Sequence, residues 1–280
     1  MAKTDAIVGR YIHLTIEDVD YRVYFEESGS GIPLICQHGG GGEGMEWRHL
    51  LNDPDITAKY RVIVPDLPYH GKSLPPEDIE WWKQEYQATK GLLFGFYLEF
   101  IKALGLERPV YIGNAIGASL GLDMGLEYPD LFRAVIAHGC VIKGGKAANG
   151  LFYHPEVTNT FKIPFVMYFC SPFSPEKDRR LVTWCAMQTA VGENGDLYYY
   201  NYHDLTDKTD QFDTSRCAIY LLTSDYNPTS SYDDTIKLSS LIKGSKLTQM
   251  KGMSLVSNAE NPPVFKSYLM PILEEISGNK

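Results

Sequence analysis

No histidine follows His203 in this chain of 280 residues, so the C-terminal strands and helices have no imidazole to offer as a base. Positive charge is also scarce: 26 Lys and Arg stand against 35 Asp and Glu, a formal net charge of −9 with a pI near 5.3. Such a surface repels nucleic acid and anionic lipid, so neither nucleic acid nor membrane is expected as a partner. The five cysteines, Cys36, Cys140, Cys170, Cys185 and Cys217, are odd in number, widely spaced and without a C-x-x-C pair. That excludes a disulfide framework and a zinc knuckle and predicts reduced, mostly buried thiols. No apolar run reaches the roughly 18 residues needed to cross a bilayer, and Met1–Asp5 lacks the basic and apolar stretches of a signal peptide, so a cytoplasmic protein is expected. No set of histidines and carboxylates shows metal spacing, and Gly39–Gly42 lacks the lysine and serine of a phosphate loop; no metal and no cofactor is expected.

What is present is an alternation of strands and helices. Tyr11–Glu17 and Tyr21–Glu27 alternate apolar with polar residues, and the apolar run Pro33–Gln37 predicts a buried strand. Strand Tyr60–Pro65, helix Trp81–Gly105, strand Pro109–Gly113, helix Ile116–Glu127 and strand Phe132–Ala137 follow, a pattern of crossover connections in a mostly parallel sheet. Between residues 143 and 215 the pattern breaks into irregular aromatic and proline-rich pieces and predicts an inserted lid. The core resumes with strand Cys217–Thr223, helix Asp233–Ile242, strand Lys246–Met250 and helix Pro263–Ile276. The expected organisation is a core in two parts, 1–142 and 216–280, with a lid at 143–215.

The segment Tyr111-Ile112-Gly113-Asn114-Ala115-Ile116-Gly117-Ala118 has the spacing of a nucleophile elbow, the strained strand-to-helix turn that needs small residues on both sides. Alanine stands where the nucleophile belongs. His38-Gly39-Gly40-Gly41-Gly42 directly follows a predicted buried strand, where backbone N–H groups can face an oxyanion. These motifs, with Trp47–Asp53, Asp66–Ser73, Gly195–Tyr198 and Glu260-Asn261-Pro262, resemble the α/β-hydrolase fold superfamily, in particular a bacterial subgroup.

The resemblance implies an α/β-hydrolase fold: a mostly parallel eight-stranded sheet flanked by helices, with an inserted cap. It also implies a serine at the elbow, an acid after the penultimate strand and a histidine after the last one. The matching positions here are Ala115, Asn227 and Leu255, with Asp225 as the acid if the register shifts. All three triad positions are therefore substituted, and without an imidazole in the usual place a proton transfer worth roughly 10² to 10⁴ in rate is missing. The N–H groups of Gly40 and Ile116 are the expected oxyanion donors. His38 and His70 are candidate catalytic bases, each balanced by a role in holding its own loop. Gly41, Trp47, His138 and Trp184 are expected to line the ligand pocket, together with lid aromatics such as Phe152, Tyr153, Phe161, Phe165 and Tyr168, half of which are expected to serve only as glue between lid and core.

Backbone amides that stabilise a tetrahedral oxyanion can equally stabilise an enolate. The expected activity is therefore non-hydrolytic, that of an isomerase, epimerase, lyase or cyclase acting next to a carbonyl of a small organic or peptidic substrate. The chain is similar in this respect to an atypical epimerase of the bottromycin peptide pathway. A non-catalytic small-molecule binding protein and an inactivated hydrolase of ester, amide or carbon–carbon bonds are the alternatives. A monomer or homodimer is expected.

Overall fold

The computed structural model describes residues 2–83, 85–145, 169–186, 192–227 and 232–278. Strands β1 (Val8–Ile16) and β2 (Val19–Ser28) form an antiparallel hairpin in register from Val8↔Glu27 to Ile16↔Val19. Its two-residue turn, Glu17-Asp18, has both φ angles positive, at 50° and 64°, the sense that matches strand twist. Strands β3 (Ile32–Gln37), β4 (Tyr60–Pro65), β5 (Val110–Asn114), β6 (Ala134–His138), β7 (Ala218–Tyr226) and β8 (Lys246–Ser254) complete an eight-stranded sheet of order β1-β2-β4-β3-β5-β6-β7-β8. Only the β1–β2 and β2–β4 pairs are antiparallel.

The parallel strands are buried on both faces, which explains why β3, β5 and β6 are continuous apolar runs. One face is covered by α1 (Lys90–Ala103) and α2 (Ile116–Glu127), with Phe96, Tyr97, Phe100, Tyr111 and Leu120 in its core. The other is covered by the long C-terminal helix, whose Phe265 and Leu269 share one buried cluster with Leu34, Val62 and Ile112. Between β6 and β7 lie α3 (Glu176–Ala186) and α4 (Gly192–Leu197); α5 (Tyr232–Leu241) joins β7 to β8, and α6 (Pro262–Gly278) is the C-terminal helix. His154 and the five lid aromatics named above lie outside the described residues. All five cysteines are buried free thiols.

The expected helix Trp81–Gly105 is a correction. A short 3-10 turn covers Trp81–Lys83, and the α-helix begins only after Thr89, whose hydroxyl caps the Leu92 N–H at 3.1 Å. Just upstream, the Ala88 N–H bonds to the Gly195 carbonyl at 2.9 Å. A distant segment has claimed backbone that the local pattern assigned to a helix. Among the described residues no helix is long and apolar enough to cross a membrane.

Candidate active site

The sheet's C-terminal edge brings the two motifs together. Ala115 ends β5 and starts α2 with φ 50° and ψ −112°, a sparsely populated conformation for a residue with a Cβ. Its flanks must be glycine: a methyl on Gly113 would stand 2.6 Å from the Gly117 backbone, and one on Gly117 would stand 2.8 Å from Gln37 Cγ. The turn is thus strained, with a methyl group at its apex. Ala115 has no side chain to cap α2, so the first amides of that helix point outward with the positive end of the helix dipole.

The loop after β3 meets this turn. A methyl placed on Gly40 would lie 3.7 Å from Ile116 Cγ2, so the two expected donors are neighbours. Neither the Gly40 N–H nor the Ile116 N–H has a hydrogen-bond acceptor among the described residues. The rest of the loop is tied down. Gly39 N–H donates to Glu46 Oε2 at 3.2 Å, Gly41 N–H to Asp196 Oδ2 at 2.9 Å and Gly42 N–H to the Gly39 carbonyl at 3.1 Å. A methyl on Gly42 would collide with Glu46 Oε1 at 2.0 Å, so this glycine makes room for the carboxyl beneath the loop. Burial pushes that Glu46 carboxyl up to about 7 against the pull of the Gly39 N–H.

The His38 and His70 rings pack together at 4.9 Å between centroids, tilted by 38°, and both are fully buried. His38 Nε2 accepts the Leu67 N–H at 3.2 Å, so the proton sits on Nδ1, which donates to the Gly39 carbonyl at 2.8 Å. Burial, and then the charge of His70, lower its pKa to about 3. A neutral ring with both nitrogens engaged cannot abstract a proton, which corrects the expectation of His38 as a base. His70 faces two acceptors, the Pro68 carbonyl and Asp196 Oδ2, each at 2.9 Å, so it donates at both nitrogens and carries a positive charge. It is a counter-ion, and that replaces its expected role as a base. Burial raises Asp196, but the His70 charge and hydrogen bond outweigh it and hold the carboxylate below its ordinary range.

A second polar cluster lies beneath the elbow. His138 Nδ1 is 3.2 Å from Asn114 Oδ1 and 3.4 Å from Ser257 Oγ, and its Nε2 is 3.4 Å from Ser224 Oγ. Asn114 donates to Asn258 at 2.6 Å, and Asn258 in turn donates to the Glu46 carbonyl at 3.1 Å. His138, Ser224 and Ser257 have no exposed surface, and burial pushes His138 down to about 3. Two hydroxyls near an imidazole are thus sealed away from any carbonyl carbon and serve to cross-link β5, β6, β7 and the Ser257–Glu260 turn.

The remaining expected residues divide. Leu255 directly follows β8 and is buried, and Asn227 directly follows β7. Trp47 is a correction: it is fully buried in the core, edge-on to Phe265 at 6.2 Å, instead of lining a pocket. Trp184 lies on α3 and is 60% exposed. Gly41 contributes its N–H to Asp196, and His138 lies under the elbow. Glu46, Tyr86 and Asn258 join the site without having been expected there; Asn114 and Asp196 were visible only as parts of the elbow and Gly195–Tyr198 motifs. A further buried pair anchors the same part of the chain elsewhere: Asp123 on α2 accepts His203 Nδ1 at 2.8 Å and the Tyr199 hydroxyl at 2.6 Å.

The family model described as alpha/beta hydrolase fold matches residues 32–174. The chain is similar to the 2-hydroxy-6-oxo-6-phenylhexa-2,4-dienoate hydrolase of Comamonas testosteroni, 28% identical over 59% of this chain and 54% of that one. The enzyme of the same name from Burkholderia cepacia is 30% identical over 53% of this chain and 49% of that one. The matched regions thus span about half the length of these curated relatives. Among solved structures, a thermophilic esterase from Thermogutta terrifontis superposes with a TM-score of 0.77 at 15% identity, covering 96% of this chain and 99% of that one. The enol-lactonase from Burkholderia xenovorans LB400 gives a TM-score of 0.75 at 13% identity, covering 94% and 100%. Such identities speak to the fold alone. With its sheet order, its glycine-flanked elbow and its matched family model, the chain belongs to the alpha/beta hydrolase fold family.

Proposed function

We propose that this chain is a carbonyl-binding member of a hydrolase family that acts without a covalent intermediate, moving a proton next to the carbonyl as an isomerase or epimerase does. The observation that carries the reading is the elbow itself: Ala115 keeps the strained φ of 50° while the adjoining Gly40 and Ile116 amides have no acceptor among the described residues. Two such donors stabilise negative charge developing on a carbonyl oxygen, whether a tetrahedral oxyanion or an enolate, and one is worth roughly 10² to 10³ in rate. A covalent route needs an attacking oxygen and an imidazole; Ala115, Leu255 and Asn227 supply neither, and His38, His70 and His138 are each engaged by other partners.

The relatives named above are hydrolases of oxo-dienoates, molecules that pair a carbonyl with an enol. The substrate class proposed here is accordingly an enolisable carbonyl compound, small or peptidic. A basic group of the substrate takes the proton, since the histidines of the loop are engaged elsewhere.

The reading predicts that enolisable ketones, oxo-acids and peptidyl carbonyls incubated in heavy water exchange their α-hydrogen faster than a protein-free blank. Tight binding of such a compound with no exchange would point to the second reading, a carrier or sensor, which the missing nucleophile also supports. A burst of acyl-enzyme from an activated ester would contradict both.

A further inference from the structure

Asp196 ends its helix α4 far along the chain, yet its carboxylate is buried against the glycine loop after β3. Oδ2 accepts the Gly41 N–H and pairs with His70 Nε2, each at 2.9 Å, and Oδ1 accepts the Tyr86 hydroxyl at 3.2 Å. The backbone fits as closely: the Gly195 carbonyl accepts the Ala88 N–H at 2.9 Å, and a methyl on Gly195 would overlap the Tyr86 ring. Three donors and the His70 charge hold this carboxylate in its ionised form, below its ordinary range, which makes it a poor base. Its neighbour across the loop is the Gly40 peptide: a methyl on Gly40 would stand 3.7 Å from Asp196 Cβ and 3.9 Å from Oδ2.

We infer that Asp196 is a positioning residue of the carbonyl site: by gripping the Gly41 N–H it sets the plane of the adjoining peptide and with it the direction of the Gly40 N–H, while His70 neutralises the charge this grip requires. An unpaired carboxylate so near an anion-binding amide would repel the anion the amide is meant to hold. The imidazolium of His70 removes that conflict, which explains why a charged histidine and not a neutral donor is buried there. The inference rests on the carbonyl-site reading above, and its test separates the two.

The Asp196→Asn substitution is made both in the natural chain and in a chain with the triad restored by Ala115→Ser, Asn227→Asp and Leu255→His. In the natural chain, nitrogen-15 spectra are expected to show the Gly41 amide proton moving upfield as its hydrogen bond weakens, the Gly40 amide signal shifting with it, and the His70 ring passing from the doubly protonated to the neutral pattern. In the restored chain, acylation by p-nitrophenyl acetate is expected to slow at least about tenfold with KM within roughly threefold, because transition-state contacts and not ground-state binding are lost. A shift confined to Gly41, with Gly40 and the acylation rate unmoved, would overturn the inference. If the Asn variant does not fold, Tyr86→Phe removes one hydrogen bond from the same carboxylate; it is expected to shift the same two amides by less, and an unmoved Gly40 amide overturns the inference equally. A restored chain that is silent with Asp196 intact would refute the carbonyl-site reading, leaving the amide spectra to decide the role of Asp196.

Discussion

Replacing Glu46 by glutamine isolates the energetic cost of a buried carboxyl beneath the glycine loop. Burial lifts Glu46 from 4.5 to about 7. A carboxyl whose folded pKa is raised favours folding when protonated, so its contribution is fully present below pH about 4.5 and is lost as the pH rises through about 7. At about 1.36 kcal/mol per unit, the parent is disfavoured by roughly 1 kcal/mol at pH near 5.5 and by roughly 3 kcal/mol at pH near 8. Glutamine cannot ionise and still offers an oxygen to the Gly39 N–H. The stability advantage of Glu46→Gln over the parent should therefore widen by about 2 kcal/mol between those two pH values, whatever fixed cost the amide brings. The depressed histidines His38, His49 and His138 oppose acid stability in both proteins and cancel in the difference. Urea unfolding followed at both pH values measures the gap. A gap that stays constant, or narrows toward alkaline pH, would refute the assignment of a neutral Glu46 under the loop.

Asp123→Asn should destabilise the fold by about 3 kcal/mol or more at neutral pH, because it strands a buried His203 whose charge Asp123 holds up against the pull of burial; thermal unfolding reads the loss. His203 is raised by its partner, so the deficit should shrink as the pH rises through its folded pKa. Gly113→Ala should cost at least about 2 kcal/mol, since the new methyl meets backbone at 2.6 Å and not a movable side chain; denaturant midpoints test this. Ala115→Gly should instead stabilise by about 1 kcal/mol in the same assay by releasing a positive-φ residue, and a loss of stability would show that the turn is unstrained.

The motifs that were legible are the local ones. Gly113, Ala115 and Gly117 lie within five residues of one another, and their meaning is a backbone conformation, so α2 begins at Ile116 and ends at Glu127 as its pattern implies. The glycines after β3 carry the same kind of information. Partners contributed from afar were not legible. Asp196 reaches Gly41 across 155 positions and Asn258 reaches Glu46 across 212. Trp47 sits next to the glycine motif in sequence, but Phe265 of the C-terminal helix turns it into core. His38 and His70 looked like bases because their side chains were considered alone; the Leu67 N–H and the Pro68 carbonyl, both within the loop that follows β4, decide their protonation.

The central claim is that the site keeps a working oxyanion cradle at Gly40 and Ile116 and has dispensed with covalent attack. Restoring Ala115→Ser, Asn227→Asp and Leu255→His together and mixing the folded protein with p-nitrophenyl acetate tests it most directly. A rapid release of one nitrophenolate per chain is expected from the restored protein and none from the natural one. A burst from the natural chain, or a correctly folded restored chain that releases none, would contradict it.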